Sequence, residues 1–281
     1  MDRFSRSDLV SSSEARGGEL LFVGLGLYDE LDLSRRALEA LRGCDELFAE
    51  EYTSVLSPGS LDRLSSELGR PIRRLTRSEL EAETLVLKPL SDGQQVALLV
   101  VGDPFAATTH MALRLSAEAL GHRWRYFPNA SIVHAAAGFL GLQPYRFGRT
   151  VSLPFPEPGF APTSPIEIAG QNRAQRLHTL VLLDLRPSEG RFLTADKALE
   201  ILHERDPLGV HLPLDAEVAV VARIGSPTAS AWFGRRDALG SAPFGPPLHA
   251  LVIPASELHF EEAAALERFR FPPREPSRSA P

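Results

Sequence analysis

Gly102-Asp103-Pro104 ends the apolar run Val96-Ala97-Leu98-Leu99-Val100-Val101, and Thr108, Thr109 and His110 follow shortly after. A short apolar run stopped by glycine and proline reads as a buried strand. Such a strand delivers a carboxylate, two hydroxyls and an imidazole to its C-terminal end, where open α/β sheets hold their ligands. Asp103 could accept from hydroxyls or amides, or face a cation. A plain βα turn, with the threonines capping the next helix, accounts for the same residues. Gly24-Leu25-Gly26-Leu27-Tyr28-Asp29 follows another apolar run in the same way. Glycines there admit a ligand close to the backbone. The dinucleotide fingerprint needs a third glycine where Asp29 stands, so a tight turn alone is equally compatible. His249 opens the apolar run Ala250-Leu251-Val252-Ile253, where a packed core histidine is the plainer reading.

Other chemistries are missing at the motif level. The chain has no P-loop, no H-E-x-x-H and no G-x-S-x-G elbow. His203 and His211 lack a metal-type pairing, and Cys44 is the only cysteine. An intrachain disulfide and a Cys-rich zinc site are thereby excluded. No metal is expected, and the chain suits a reducing cytoplasm.

Elements must position these residues. Strands are expected at 20–23, 47–49, 72–75, 96–101 and 124–127, with helices after Ser34, Ser60, Arg77 and Met111. That alternation implies a mostly parallel sheet. Beyond Pro128 the pattern changes. Ser131 caps a helix through Gly138, an edge strand spans 150–155, and residues 154–165 form a Pro/Gly-rich loop. Strands at 179–185, 217–222, 229–233 and 248–253, with a Thr194-capped helix and a closing helix at 261–269, suggest a mixed sheet. The boundary falls near 127–131, giving domains 19–128 and 129–271. Residues 1–18, polar and without an apolar h-region, read as a flexible tail rather than a secretory signal, and 272–281 as another.

The 281 residues, 43% of them hydrophobic, suffice for two such domains. A net charge of -6 argues against a nucleic-acid surface. No apolar run approaches the roughly 20 residues of a membrane span.

Six segments in order are similar to the diphthine synthases, of the tetrapyrrole-methylase-like superfamily. They are Phe22-Val23-Gly24-Leu25-Gly26-Leu27-Tyr28-Asp29 and Phe48-Ala49-Glu50-Glu51-Tyr52-Thr53-Ser54, then Gly102-Asp103-Pro104-Phe105-Ala106-Ala107-Thr108-Thr109-His110. Ala130-Ser131-Ile132 with Gly141-Leu142-Gln143-Pro144-Tyr145-Arg146-Phe147-Gly148, His178-Thr179-Leu180-Val181-Leu182-Leu183-Asp184 and Pro247-Leu248-His249 complete them. The resemblance implies two α/β domains with a cofactor cleft between them, in a homodimer. It implies S-adenosyl-L-methionine held at Leu27, Asp103, Ala106, Ser131, Ile132, Leu183, Ile224 and His249. Ile224 has the loosest surroundings, and Ala106 stands where the family often has a larger aliphatic. The implied reaction is N-methylation of the 3-amino-3-carboxypropyl arm on a histidine of elongation factor 2, in diphthamide biosynthesis. No general base is assigned. Arg146 and Arg149 are candidates for the arm's carboxylate, which a guanidinium can bind bidentately; solvated surface arginines are the plainer reading. Two rivals stand beside this. One is a tetrapyrrole C-methyltransferase, which typically shows Gly-Pro-Gly where Gly26-Leu27-Tyr28 stands here. The other is a non-catalytic S-adenosylmethionine-binding module.

Overall fold

A computed structural model describes residues 17–272. The expected tails, 1–18 and 272–281, fall almost wholly outside those residues.

The first half holds β1 (Glu19–Gly24), α1 (Arg35–Arg42), β2 (Glu46–Glu50), α2 (Ser60–Leu68), β3 (Arg73–Leu75), α3 (Arg77–Glu81), α4 (Thr84–Ser91), β4 (Gln95–Val100), α5 (Met111–Ala119) and β5 (Arg123–Phe127). Its sheet runs β3-β2-β4-β1-β5 with every pairing parallel. Side chains alternate across β1. Leu21 and Val23 pack with α1 and α2, and Leu20 and Phe22 pack with α4 and α5. Both faces are covered, which is why the strand reads as an unbroken apolar run. Each large side chain fully buried there contributes about 1.5–3 kcal/mol. Ser34 caps α1 as expected, accepting from the Ala37 N–H.

The second half holds α6 (Ile132–Leu140), β6 (Val151–Leu153), α7 (Ser164–Ala174), β7 (Thr179–Leu183), β8 (Leu185–Arg186), β9 (Arg191–Phe192), α8 (Ala195–Arg205), β10 (Glu217–Ala222), β11 (Ser230–Arg235), α9 (Arg236–Leu239), β12 (His249–Ile253) and α10 (Phe260–Glu267). The main sheet runs β11-β10-β12-β7-β6. It is antiparallel except where β6 pairs with β7, so the mixed sheet holds. One face packs on α7, α8 and α9, the other on α6 and α10. The small β8-β9 ribbon carries no sequence signal of its own. Thr194 sits at the N-cap of α8, but its hydroxyl caps nothing. The Ala195 N–H instead donates to His249 Nδ1 at 3.1 Å, across 54 residues of sequence.

A buried polar knot joins α10 to the start of β7. Glu262 and His178 are both 0% exposed. His178 Nδ1 accepts from the Ala255 N–H at 3.0 Å, so Nε2 carries the proton and donates to Glu262 Oε1 at 3.0 Å. Glu262 also accepts from the Gln143 and His259 N–H groups, each at 3.0 Å, and from the Arg146 guanidinium. Burial pulls the His178 imidazole below its ordinary value. Burial pushes the Glu262 carboxyl up, but the Gln143 and His259 N–H groups and His178 outweigh it, so the net shift is downward. In both cases the unfolded chain binds the proton more tightly, so both contributions to stability are lost as the pH falls. Thermal unfolding followed against pH is expected to give a level midpoint above about pH 7. The midpoint should fall below 6.5 as the histidine contribution fades, and again below 4.5 as the carboxylate contribution does. A midpoint rising through the first window would refute the neutral-histidine assignment.

Candidate functional site

β1 and β4 are neighbours in register, Gly24 opposite Val100, so their following loops leave the sheet side by side. The loops then bond to each other. The Gly102 N–H donates to Gly26 O at 2.7 Å, and the Gly26 N–H returns to Gly102 O at 3.3 Å. Both glycines hold left-handed backbone, φ 79° and 77°, which side chains other than glycine rarely adopt. This is the physical need behind two of the glycines in the sequence motifs.

These loops form one wall of a cavity of about 470 Å³ that the second half closes. That size lies inside the range of small-molecule sites, about 300–1,000 Å³. All eight residues that the resemblance marked line it. Leu27, Asp103 and Ala106 come from the first half, and Ser131, Ile132, Leu183, Ile224 and His249 from the second. Sequence reading missed Thr53 and Ser54 as lining residues, although their segment was noted, and missed Arg223, Ser226 and Thr228 outright. The available signal for Arg223 was an arginine directly after the apolar run Val218-Ala219-Val220-Val221-Ala222.

Asp103 is 9% exposed. Its Oδ1 accepts from the Phe105 N–H at 3.0 Å, and its Oδ2 from the Asn129 N–H at 3.3 Å and from the Tyr126 hydroxyl. Asn129 in turn donates its side-chain amide to Gly24 O at 2.9 Å and Asp32 O at 3.0 Å. One carboxylate thus ties the ends of β1, β4 and β5 together. Burial, then Asp103 itself, pushes the Tyr126 phenol well above its ordinary range, so it stays a donor. The threonines do not cap α5. The Thr108 hydroxyl donates to Pro104 O, and the buried His110 donates from Nδ1 to the same carbonyl at 2.9 Å. His110 is therefore a packing and turn residue.

Ser131 caps α6, its Oγ accepting from the Val133 N–H at 3.3 Å, which leaves the hydroxyl proton to donate elsewhere. The Ile132 N–H, at the first helical position, has no intrahelical acceptor. This helix start therefore presents donors and a positive dipole end to the cavity.

His249 has one ring nitrogen spent and one free. With Nδ1 accepting from Ala195, Nε2 carries the proton, yet Nε2 is buried with no partner. Burial, and next the Arg223 charge, lower the imidazole below its ordinary value, so it is neutral near pH 7. A buried N–H donor without an acceptor costs about 1–3 kcal/mol. His249 itself is among the residues lining the cavity.

Arg146 and Arg149, the candidates for the substrate carboxylate, are not among the residues lining the cavity. The Arg146 guanidinium donates to Glu262 and to the carbonyls of Glu257 and Arg176, so a substrate carboxylate would have to displace a buried ion pair. Arg149 is exposed away from it, with its backbone N–H and C=O bonded to the Asn172 side chain. Among the described residues no three His, Cys, Asp or Glu side chains group as metal ligands, and no helix is long and apolar enough to cross a membrane.

A family model described as Tetrapyrrole (Corrin/Porphyrin) Methylases matches residues 19–239. The diphthine synthase of Methanothermobacter thermautotrophicus is 39% identical over 257 residues, covering 91% of this chain and 97% of that protein. That of Methanoregula boonei is 38% identical over 253 residues, covering 89% and 98%. A crystal structure of diphthine synthase superposes with a TM-score of 0.82 at 36% identity, covering 90% of this chain and 96% of the other.

Proposed function

The chain belongs to the diphthine synthases, within the tetrapyrrole methylases, and on that premise we propose that its cleft binds S-adenosyl-L-methionine and methylates elongation factor 2. It is a methyltransferase of diphthamide biosynthesis. The acceptor in this reading is the amino group of the 3-amino-3-carboxypropyl arm on a modified histidine. We further propose that it works as a cytoplasmic homodimer. Leu27-Tyr28 after Gly26, in place of the Gly-Pro-Gly of tetrapyrrole enzymes, favours the protein substrate.

One observation carries the cofactor reading. Eight residues scattered from Leu27 to His249 converge on one cavity, and one of them, His249, keeps a buried ring nitrogen, Nε2, without a partner. Leu27, Ala106, Ile132, Leu183 and Ile224 would make the apolar wall, and Asp103, Ser131 and His249 the polar contacts. The group bound there supplies an electrophilic methyl on a sulfonium centre. The chain's own share is placement and dryness. The apolar wall excludes water, and the rigid loop pair holds the reacting partners in line. The attacking amine must be neutral, and a nearby free carboxylate would keep it protonated. Asp103 is the one carboxylate among the described lining residues, and it already accepts three hydrogen bonds. Asp103 is thus a binding and shaping residue rather than a proton acceptor.

Elongation factor 2 bearing the arm, incubated with this protein and labelled S-adenosylmethionine, is expected to gain mass in whole methyl steps. Absence of any gain, with the cofactor bound, would remove the substrate assignment. His249→Ala is expected to weaken S-adenosylmethionine binding about 10- to 100-fold by calorimetry, the worth of a buried hydrogen bond plus lost packing. Unchanged affinity would take His249 out of the cofactor site.

A further inference from the structure

Arg223 is the one arginine or lysine among the described residues lining the cavity. It leaves β10 with φ 53°, a left-handed conformation that residues other than glycine rarely adopt. Its own N–H donates to Leu248 O at 2.8 Å, which holds that backbone in place. The side chain is pinned as well. Nε donates to Thr228 Oγ1 at 3.2 Å, and Nη1 donates to Phe244 O at 2.9 Å and to Pro246 O. A guanidinium carries five N–H groups. These contacts account for three, and the pair on Nη2 has no acceptor among the described residues. No carboxylate among the described residues forms an ion pair with it.

A pinned cation with a free donor edge repels a sulfonium and attracts an anion. Resting on the cofactor reading above, we propose that Arg223 is the carboxylate anchor of the cleft, its Nη2 edge binding the carboxylate of an α-amino-acid group. Two ligands of the proposed reaction carry that group: the methionine end of the methyl donor, and the aminocarboxypropyl arm of the acceptor. The anchor replaces Arg146 and Arg149, which the fold keeps away from the cavity. It also explains why the loop 244–248, which leads into His249, is stitched to this guanidinium. The same contacts that shape the loop hold the guanidinium of this lining residue in place and leave its Nη2 pair unbonded.

The test uses Arg223→Met and Arg223→Lys. Binding of S-adenosylhomocysteine, which has the carboxylate, and of methylthioadenosine, which lacks it, is measured by calorimetry, with KM for arm-bearing elongation factor 2 alongside. The Met variant is expected to lose a charge-assisted hydrogen bond, about tenfold or more. If the donor's carboxylate is held, S-adenosylhomocysteine weakens and methylthioadenosine does not. If the acceptor's is held, both nucleosides bind as before and KM rises. In either case Arg223→Lys recovers part of the loss. Equal weakening of both nucleosides would make Arg223 a loop clamp only and overturn the proposal, as would no change in any of the three. Failure of the unaltered protein to bind either nucleoside would instead sink the cofactor reading itself.

Discussion

Asp103→Ala is expected to raise the dissociation constant for S-adenosylmethionine by about 100-fold or more and to bring methyl transfer down with it. The side chain accepts from Phe105, Asn129 and Tyr126, and the alanine leaves three donors without that acceptor. Each backbone N–H stranded away from water in this way costs about 1–3 kcal/mol, whereas the hydroxyl of the exposed Tyr126 can turn to solvent. The loop relieves the cost by moving, and its movement carries Ala106 and the Gly26–Gly102 contact out of place. Asp103→Asn should fall between, because one oxygen survives while the new amide faces donors. Tyr126→Phe removes a single hydroxyl from an exposed ring and should cost only about tenfold. The checks are calorimetric binding and steady-state rates, with thermal unfolding in parallel. If the alanine variant melts early yet binds the cofactor normally, Asp103 serves the fold and not the site.

Glu262→Ala should lower the free energy of unfolding by about 3–5 kcal/mol, the cost of stripping one partner from a buried charge pair. Whole domains are stable by only about 5–15 kcal/mol, so the variant sits near the edge of folding at 37 °C. Three kinds of group lose their acceptor together: the Arg146 guanidinium, the His178 Nε2 proton, and the N–H groups of Gln143 and His259. Replacing both charges, Arg146→Met with Glu262→Leu, should cost less than Glu262→Ala alone, because no bare charge remains buried. Denaturant unfolding of the two variants decides it. A double variant weaker than the single one would mean that the pair stabilises the protein as a pair, not merely as mutual compensation.

Much of the architecture is legible in local pattern. Residues 20–23 and 96–101 are apolar at every position because helices cover both faces of their sheet, and a strand of that kind announces itself. Ser34 and Ser131 mark helix starts because the N-cap requirement is satisfied by one side chain within its own turn. The glycines at 26 and 102 stand where two loops must cross with positive φ. The ordered motifs carried the family and, with it, the eight residues that meet at the cavity.

What could not be read there depends on partners far apart in the chain. Arg146 stands inside a motif and looks available, yet its partner Glu262 lies 116 residues further on. Thr194 has the right type and place to cap α8 but makes no side-chain cap bond, while the N–H of Ala195, at the first helical position, donates to the distant His249. That contact also leaves the proton on Nε2 and so makes His249 a donor. Arg223 passed unnoticed because an arginine directly after an apolar strand is a weak signal; the packing of the turn after β10 makes it the one arginine or lysine among the described residues lining the cavity. Periodicity, capping and turn chemistry act over a few residues, so the sequence by itself determined the elements, their layering and the family of the cleft. Which lone pair meets which proton is decided by how those elements pack, and only the tertiary structure showed which partners Asp103, His110, Arg146, Arg223 and His249 have and which of them line the cavity.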